Sequence, residues 1–339
     1  MPVTAERVVN VDELEVLFNL MDSRLTVSFP LLNLDIASVV RSSDGVFLKL
    51  IVTREDLHSS LAGFDEFTSE MPLYSDIRGC LLSSGVLDYA NADELRELIG
   101  SAVSRRHFAG VSLDTNLLYN RFVSNFQMLK ENDVILASTL RDEIMHKINR
   151  KMDPRVQTGI KNTVRYQKEL CDELWNRETK SSRIVRDHAL REFTFLKKGG
   201  CRIIEGVERS SAEDGENDKI IVRTLADMRR KGKRPPLLIT ADAAVEAICD
   251  LEDVEYFRLH YPDPGDAASC AFGQFRNLVH SMSSVFGAVM IGPVLVLGEY
   301  RGKKDPEDMK LRFQDPRAGE EFSRELGVCR KLNETGIVK

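Results

Sequence analysis

The chain has 339 residues, 42% of them hydrophobic and 29% charged, and a formal net charge of −6. That length buries at least one full core and suits two or three structural units, and the composition excludes a fibrous or disordered chain. The negative balance excludes indiscriminate coating of nucleic acid, although acids gathered in one cleft leave room for basic surfaces elsewhere.

Residues 1–108 read as a mixed α+β unit. Helical spacing over 13–21 puts Leu14, Leu17, Phe18 and Met21 on one face. Strand patterns follow at 25–29 and 46–52, the second after an Asp44-Gly45 turn signal, and 93–103 returns to helical spacing. No chemical motif marks this region. From Ala109 the pattern becomes strand–helix alternation, the signature of a parallel sheet with crossover helices. Strands are expected at 110–113, 133–137, 201–205, 236–240 and 254–259, and helices at 116–129, 138–150, 217–231 and 243–250. A helical insertion over about 155–197 precedes the third strand. Thr139 and Asp142 are candidate caps for the second helix, as are Asn217 and Asp218 for the third. The proline- and glycine-bearing stretch after Tyr261 closes this 109–261 domain. A C-terminal extension, 262–339, then holds a helix at about 267–284, strand-like runs at 288–300 and 308–314, and a last helix at about 318–332. Six cysteines stand singly with no CxxC pair, no apolar run suits a bilayer span, and the N-terminus lacks a signal-peptide pattern. A reducing, cytoplasmic setting is expected.

The chemistry concentrates where apolar strands stop on acids. Val111-Ser112-Leu113 ends on Asp114, and Leu237-Leu238-Ile239-Thr240-Ala241 ends on Asp242. Open parallel sheets bind ligands at the carboxyl ends of their strands. Glu143, near the start of the second helix, and Asp218, opening the third, fall at the same edge. One acid after one strand is as often a helix cap as a ligand. Four at corresponding ends describe a site for a hard divalent cation, because Mg²⁺ and Mn²⁺ prefer carboxylate and water oxygens. Like charges this close would raise their own pKa values unless a cation joined them.

These strings resemble the PIN domain, a Rossmann-like nuclease family. Its first motif is similar to Leu113-Asp114-Thr115-Asn116, its helical acid to Glu143, its helix-opening acid to Asp218, and its apolar–Thr–x–Asp string to Thr240-Ala241-Asp242. The resemblance covers about 109–261. It implies a Mg²⁺- or Mn²⁺-dependent endoribonuclease acting on single-stranded RNA. Asp114, Glu143, Asp218 and Asp242 would then be metal-binding and catalytic, with Asn116 and Thr240 positioning substrate. Asp214 and Glu216 compete with Asp218 for the third place, and Asp218 is preferred because Ile220, Ile221, Leu225 and Met228 then form the buried face of the helix it starts.

Nucleic-acid contact is expected from the inserted helices, where Lys161, Arg165 and Lys168 share a face and Arg183 and Arg186 recur at similar spacing. A solvated helical surface is an equally ordinary outcome for such a stripe. The basic run Arg229, Arg230, Lys231, Lys233 and Arg234 would lie at the opposite end of the sheet from the acids. Trp175, Tyr166 and Phe193 are candidates for base stacking or packing. Apolar content in the insertion and the C-terminal hairpin permits a homodimer. The alternatives are a structure-specific DNA nuclease of the flap-endonuclease type, or a non-catalytic RNA-binding or assembly protein that keeps the fold. A haloacid-dehalogenase phosphatase needs a second Asp where this chain has Asn116.

Overall fold

A computed structural model describes residues 5–335 apart from 106–107, 127–128, 175–177, 212–214 and 266. The strands, in chain order, are β1 (Ala5–Val9), β2 (Arg24–Phe29), β3 (Leu34–Ser42), β4 (Gly45–Leu50), β5 (Val111–Leu113), β6 (Val134–Ala137), β7 (Arg202–Ile204), β8 (Leu237–Thr240), β9 (Tyr256–Arg258), β10 (Ala268–Cys270), β11 (Ala288–Ile291), β12 (Val294–Leu297) and β13 (Met309–Phe313). The chain divides into two compact units. One is assembled from Met1–Val86, Lys151–Lys180 and Pro264–Lys339, the other from Leu87–Arg150 and Ser181–Asp263. The fold is thus α/β, with one parallel and one antiparallel sheet.

The second unit carries the parallel sheet, in the order β7-β6-β5-β8-β9. Val111 lies opposite both Val134 and Leu237, which sets β5 between β6 and β8. Every residue of β5, β6 and β8 is buried, the expected state of parallel strands covered on both faces. From β5 the chain builds outward through β6 and β7, then returns to β8 and continues to β9. The direction of winding therefore reverses between β5 and β8, and a crevice opens there at the carboxyl ends of the strands. Asp114 follows β5 and Asp242 follows β8, so these two acids flank the switch point.

The connecting helices are Thr115–Tyr119 and Phe122–Asn125 after β5, Ser138–Lys147 after β6, Glu216–Arg230 after β7 and Ala243–Glu252 after β8. On one face Val222, Leu225, Leu238, Val245 and Cys249 form a closed apolar cluster. The helix Phe122–Asn125 has a partner distant in sequence. Glu192, 0% exposed, accepts N–H groups from Val123 (2.7 Å) and Ser124 (3.0 Å), and so caps a helix 69 residues away that lacks a capping side chain of its own.

In the first unit every strand pairing is antiparallel, in the order β1-β13-β12-β11-β2-β3-β4-β10. β13 joins β1 through Phe313 opposite Ala5, and β11 joins β2 through Ile291 opposite Val27. The segments 1–108 and 262–339, set apart by the sequence reading, thus share one sheet. The helix Phe272–Phe286 packs on this sheet and places Phe275 4.9 Å, ring to ring, from Phe18.

Three expectations need revision. The apolar run 288–300 is not one strand but the β11–β12 hairpin, turned at Gly292, whose φ of +50° suits glycine. Residues 268–270 form β10, paired with β4, and the helix expected from 267 starts at Phe272. The insertion is not one helical stretch. It breaks into Pro154–Thr163 and Leu170–Glu173, then resumes as Lys180–Ile184, a π-helical turn Val185–Leu190 and Arg191–Lys198. Its first part, Lys151–Lys180, belongs to the antiparallel unit.

Candidate active site

Asp114 is held from three sides. Its Oδ1 accepts the Leu117 N–H (2.9 Å), which caps the helix Thr115–Tyr119. Its Oδ2 accepts the Thr240 hydroxyl and the Ala241 N–H (3.2 Å). Thr240, 0% exposed, also accepts the Asp242 N–H at 3.0 Å. The apolar–Thr–x–Asp string therefore acts as a brace. The end of β8 holds the acid at the end of β5, and Thr240 is a positioning residue for Asp114 rather than a cleft residue. Asp114 itself is 1% exposed, and burial pushes its carboxyl up to about 6 despite those donors.

Asp242 caps the helix Ala243–Glu252 through the Ala244 N–H (2.8 Å) and reaches the surface of a cleft. Glu143 lines the same cleft from the helix Ser138–Lys147. Its Oε2 accepts the Thr115 hydroxyl (2.9 Å), and its Oε1 takes the Lys147 ammonium (2.7 Å) one turn further on. Asp218 comes from the first turn of Glu216–Arg230. Asn217 does not cap that helix, because its amide is spent on the Ser211 N–H (2.9 Å) and carbonyl (3.1 Å), pinning the loop that forms the cleft's far wall. Glu216 is turned to Lys219 (2.5 Å), and the cleft is lined by Asp218 and not by Glu216. Asp214 and Trp175 lie outside the described residues.

The cleft encloses about 400 Å³, and its walls include Thr115, Asn116, Tyr119, Asp142, His146 and Lys147 as well as Glu143, Asp218 and Asp242. Burial, and then the charges of Asp114, Glu143 and Asp242, push Asp218 up to about 6, with Lys147 opposing. All four predicted acids therefore share one electrostatic field. Among the described residues, no group of three or more His, Cys, Asp or Glu side chains stands placed to hold a metal ion. Glu143 faces its lysine, while Asp114 and Asp242 face helix amides. As a donor set, hard carboxylate oxygens beside hydroxyls suit Mg²⁺ or Mn²⁺, and mutual repulsion at Asp218 is what such a cation relieves. In chemistry the residues fit the ion.

The sequence reading passed over Thr115, Tyr119 and Lys147. Lys147 had a legible signal, standing four residues after Glu143 on one helix, the spacing of a facing ion pair. Its ammonium also sits 5.9 Å from the centre of the Tyr119 ring. Burial works against that charge, but Glu143 and Tyr119 outweigh it and hold the Lys147 pKa above its ordinary value. Burial, with Glu143 adding, raises the Tyr119 hydroxyl.

The expected basic stripe is not one surface. Lys161 pairs with Asp172, and Arg165 and Lys168 are exposed but lie beyond the end of the helix Pro154–Thr163. Arg183 is 0% exposed, which removes it from phosphate contact, and Arg186 is paired with Asp187 at 3.1 Å. Helical spacing of cations predicted a face without revealing that the face is packed. Arg229 and Lys231 precede β8 and pair with Asp253 and Asp227, both at 2.6 Å. No helix among the described residues is long and apolar enough to cross a membrane.

No protein-family model matches the chain, and no curated protein matches it. Among solved structures, it is similar to a domain of a functionally unknown protein from Methanocaldococcus jannaschii DSM 2661, at 13% identity and a TM-score of 0.30, over 46% of this chain and 94% of that one.

Proposed function

We propose that the protein is a metal-dependent endoribonuclease hydrolysing phosphodiester bonds of single-stranded RNA, and that its parallel-sheet unit is a PIN domain. The meeting of Glu143, Asp218 and Asp242 on the walls of one cleft, each from a different strand–helix connection, carries the reading. Burial, and then the charges of Asp114, Glu143 and Asp242, raise the Asp218 carboxyl, with only Lys147 opposing.

Asp218, Asp242 and Glu143 would hold Mg²⁺ or Mn²⁺ at the cleft surface, with Asp114 behind them. The bound ion supplies an acidified water and neutralises charge on the scissile phosphate. The chain's own part is orientation. Thr240 and the Leu117 and Ala241 amides fix Asp114 in one rotamer, and Thr115 fixes one oxygen of Glu143. Asn116, on the cleft wall, supplies a carboxamide able to orient a phosphate oxygen or water.

The test is cleavage of labelled single-stranded RNA, single-stranded DNA, flap DNA and duplexes in Mg²⁺, Mn²⁺ or EDTA. Internal cuts in single-stranded RNA are expected, lost in EDTA. In Asp218→Asn and Asp114→Asn the rate should fall by more than about 100-fold, since loss of supporting partners alone costs about 10–100-fold. Undiminished cleavage in both variants would remove this cleft from the mechanism. Cutting confined to flap DNA selects the DNA-nuclease alternative. Mn²⁺ binding with no cutting selects the RNA-binding alternative.

A further inference from the structure

Lys147 is the only lysine or arginine among the described residues lining the acidic cleft. Its side chain is 32% exposed, against 11% for the Glu143 carboxylate it holds at 2.7 Å. Glu143 is thus shielded while its lysine remains reachable from the cleft. The ammonium is a monovalent occupant of a position that the metal-site reading assigns to a divalent ion. Resting on that reading, we propose that Lys147 neutralises Glu143 until the ion arrives, yields the carboxylate to it, and then grips a substrate phosphate.

Three features carry this. Glu143 has one oxygen fixed by Thr115 and the other held by Lys147 alone, so releasing the lysine frees one oxygen without disturbing the rest. Lys147 stands on the last turn of its helix, on a long stem with several rotatable bonds, and so can swing. The Tyr119 ring beside it offers a second resting place for the cation. A displaced ammonium remains inside an otherwise anionic cleft, where a phosphodiester needs a positive contact to enter.

The experiment measures Mn²⁺ affinity by calorimetry on the full chain, then affinity for uridine 5′-monophosphate, which has no phosphodiester bond to cleave, in saturating Mn²⁺. In Lys147→Met, Mn²⁺ binds about tenfold tighter, because a unit charge a few ångströms from a divalent ion is removed. Nucleotide binding weakens about tenfold, the scale of one charge-assisted hydrogen bond. In Lys147→Arg both affinities stay within about threefold of the parent, since a guanidinium also pairs with carboxylate and phosphate. Thermal melts report folding, and Lys147→Gln replaces the methionine variant if that one is unfolded. Mn²⁺ binding that is equal or weaker in Lys147→Met overturns the exchange while leaving the metal site standing. No Mn²⁺ binding by the parent chain overturns both.

Discussion

Asp114 and Asp218 are carboxyls held near 6 in the folded protein, against an ordinary value of 3.8. Between about pH 4 and pH 6 the native state therefore keeps protons that the unfolded chain has released. The stability these groups lend is complete below pH 4 and is lost as pH rises through 6. Metal-free protein should accordingly melt higher at pH 5 than at pH 7.5. Asp218→Asn should recover about 1–2 kcal/mol at pH 7.5, after allowance for partial exposure, and raise the melting temperature by about 3 °C. A flat melting profile across that range would contradict the raised values. Thr240→Val removes the hydroxyl that donates to Asp114 and accepts from Asp242, and should cost about 1–2 kcal/mol in denaturant unfolding. At this scale Asp114, Asp218 and Asp242 were legible as acids that end a strand or fall in the first turn of a helix, whereas Glu143 stands in the middle of the helix Ser138–Lys147. The brace between β8 and Asp114 was not legible, because it joins residues 126 apart in sequence.

At the scale of elements, β5 depends on the residue before it. Gly110 has φ +154°, and a Cβ there would stand 2.4 Å from the Asp133 carbonyl oxygen. Gly110→Ala should therefore push β5 away from the start of β6 and destabilise the fold by roughly 1–3 kcal/mol. A melt within 1 °C of the parent would show that the backbone relaxes freely. Glu192→Ala strips the cap from Phe122–Asn125, leaves the Val123 and Ser124 amides buried without their acceptor, and should cost about 2–3 kcal/mol. Strand and helix order in the parallel unit followed from periodicity, since each strand pairs through a crossover that the sequence spells out locally. The antiparallel sheet was not legible in that way. β1 with β13 and β2 with β11 are pairings across most of the chain, and no local pattern names a distant partner.

For the whole molecule, the 151–180 excursion leaves and re-enters the parallel unit at one place, where the Arg150 N–H donates to Ser182 Oγ at 3.1 Å. Residues 87–263 with 151–180 replaced by a short Gly-Ser linker should thus fold alone, giving a cooperative melt and Mn²⁺ binding within about threefold of the full chain, since a loop exchange changes closure entropy only slightly. Insoluble or non-cooperative material would mean that the unit depends on the excised segment. A cut at residue 262 is the opposite case. It removes β10 through β13 and leaves β1 without a partner and β2 and β4 with bare edges, a template for aggregation. The same split governs the order in which the nascent chain folds. The parallel unit has all its residues once position 263 has been made. β2, β3 and β4 can pair with one another early, but β1 must wait for β13, made some three hundred residues later. During synthesis the candidate site therefore has all its residues while β1 is unpaired and β2 and β4 still present bare edges, an interval open to aggregation.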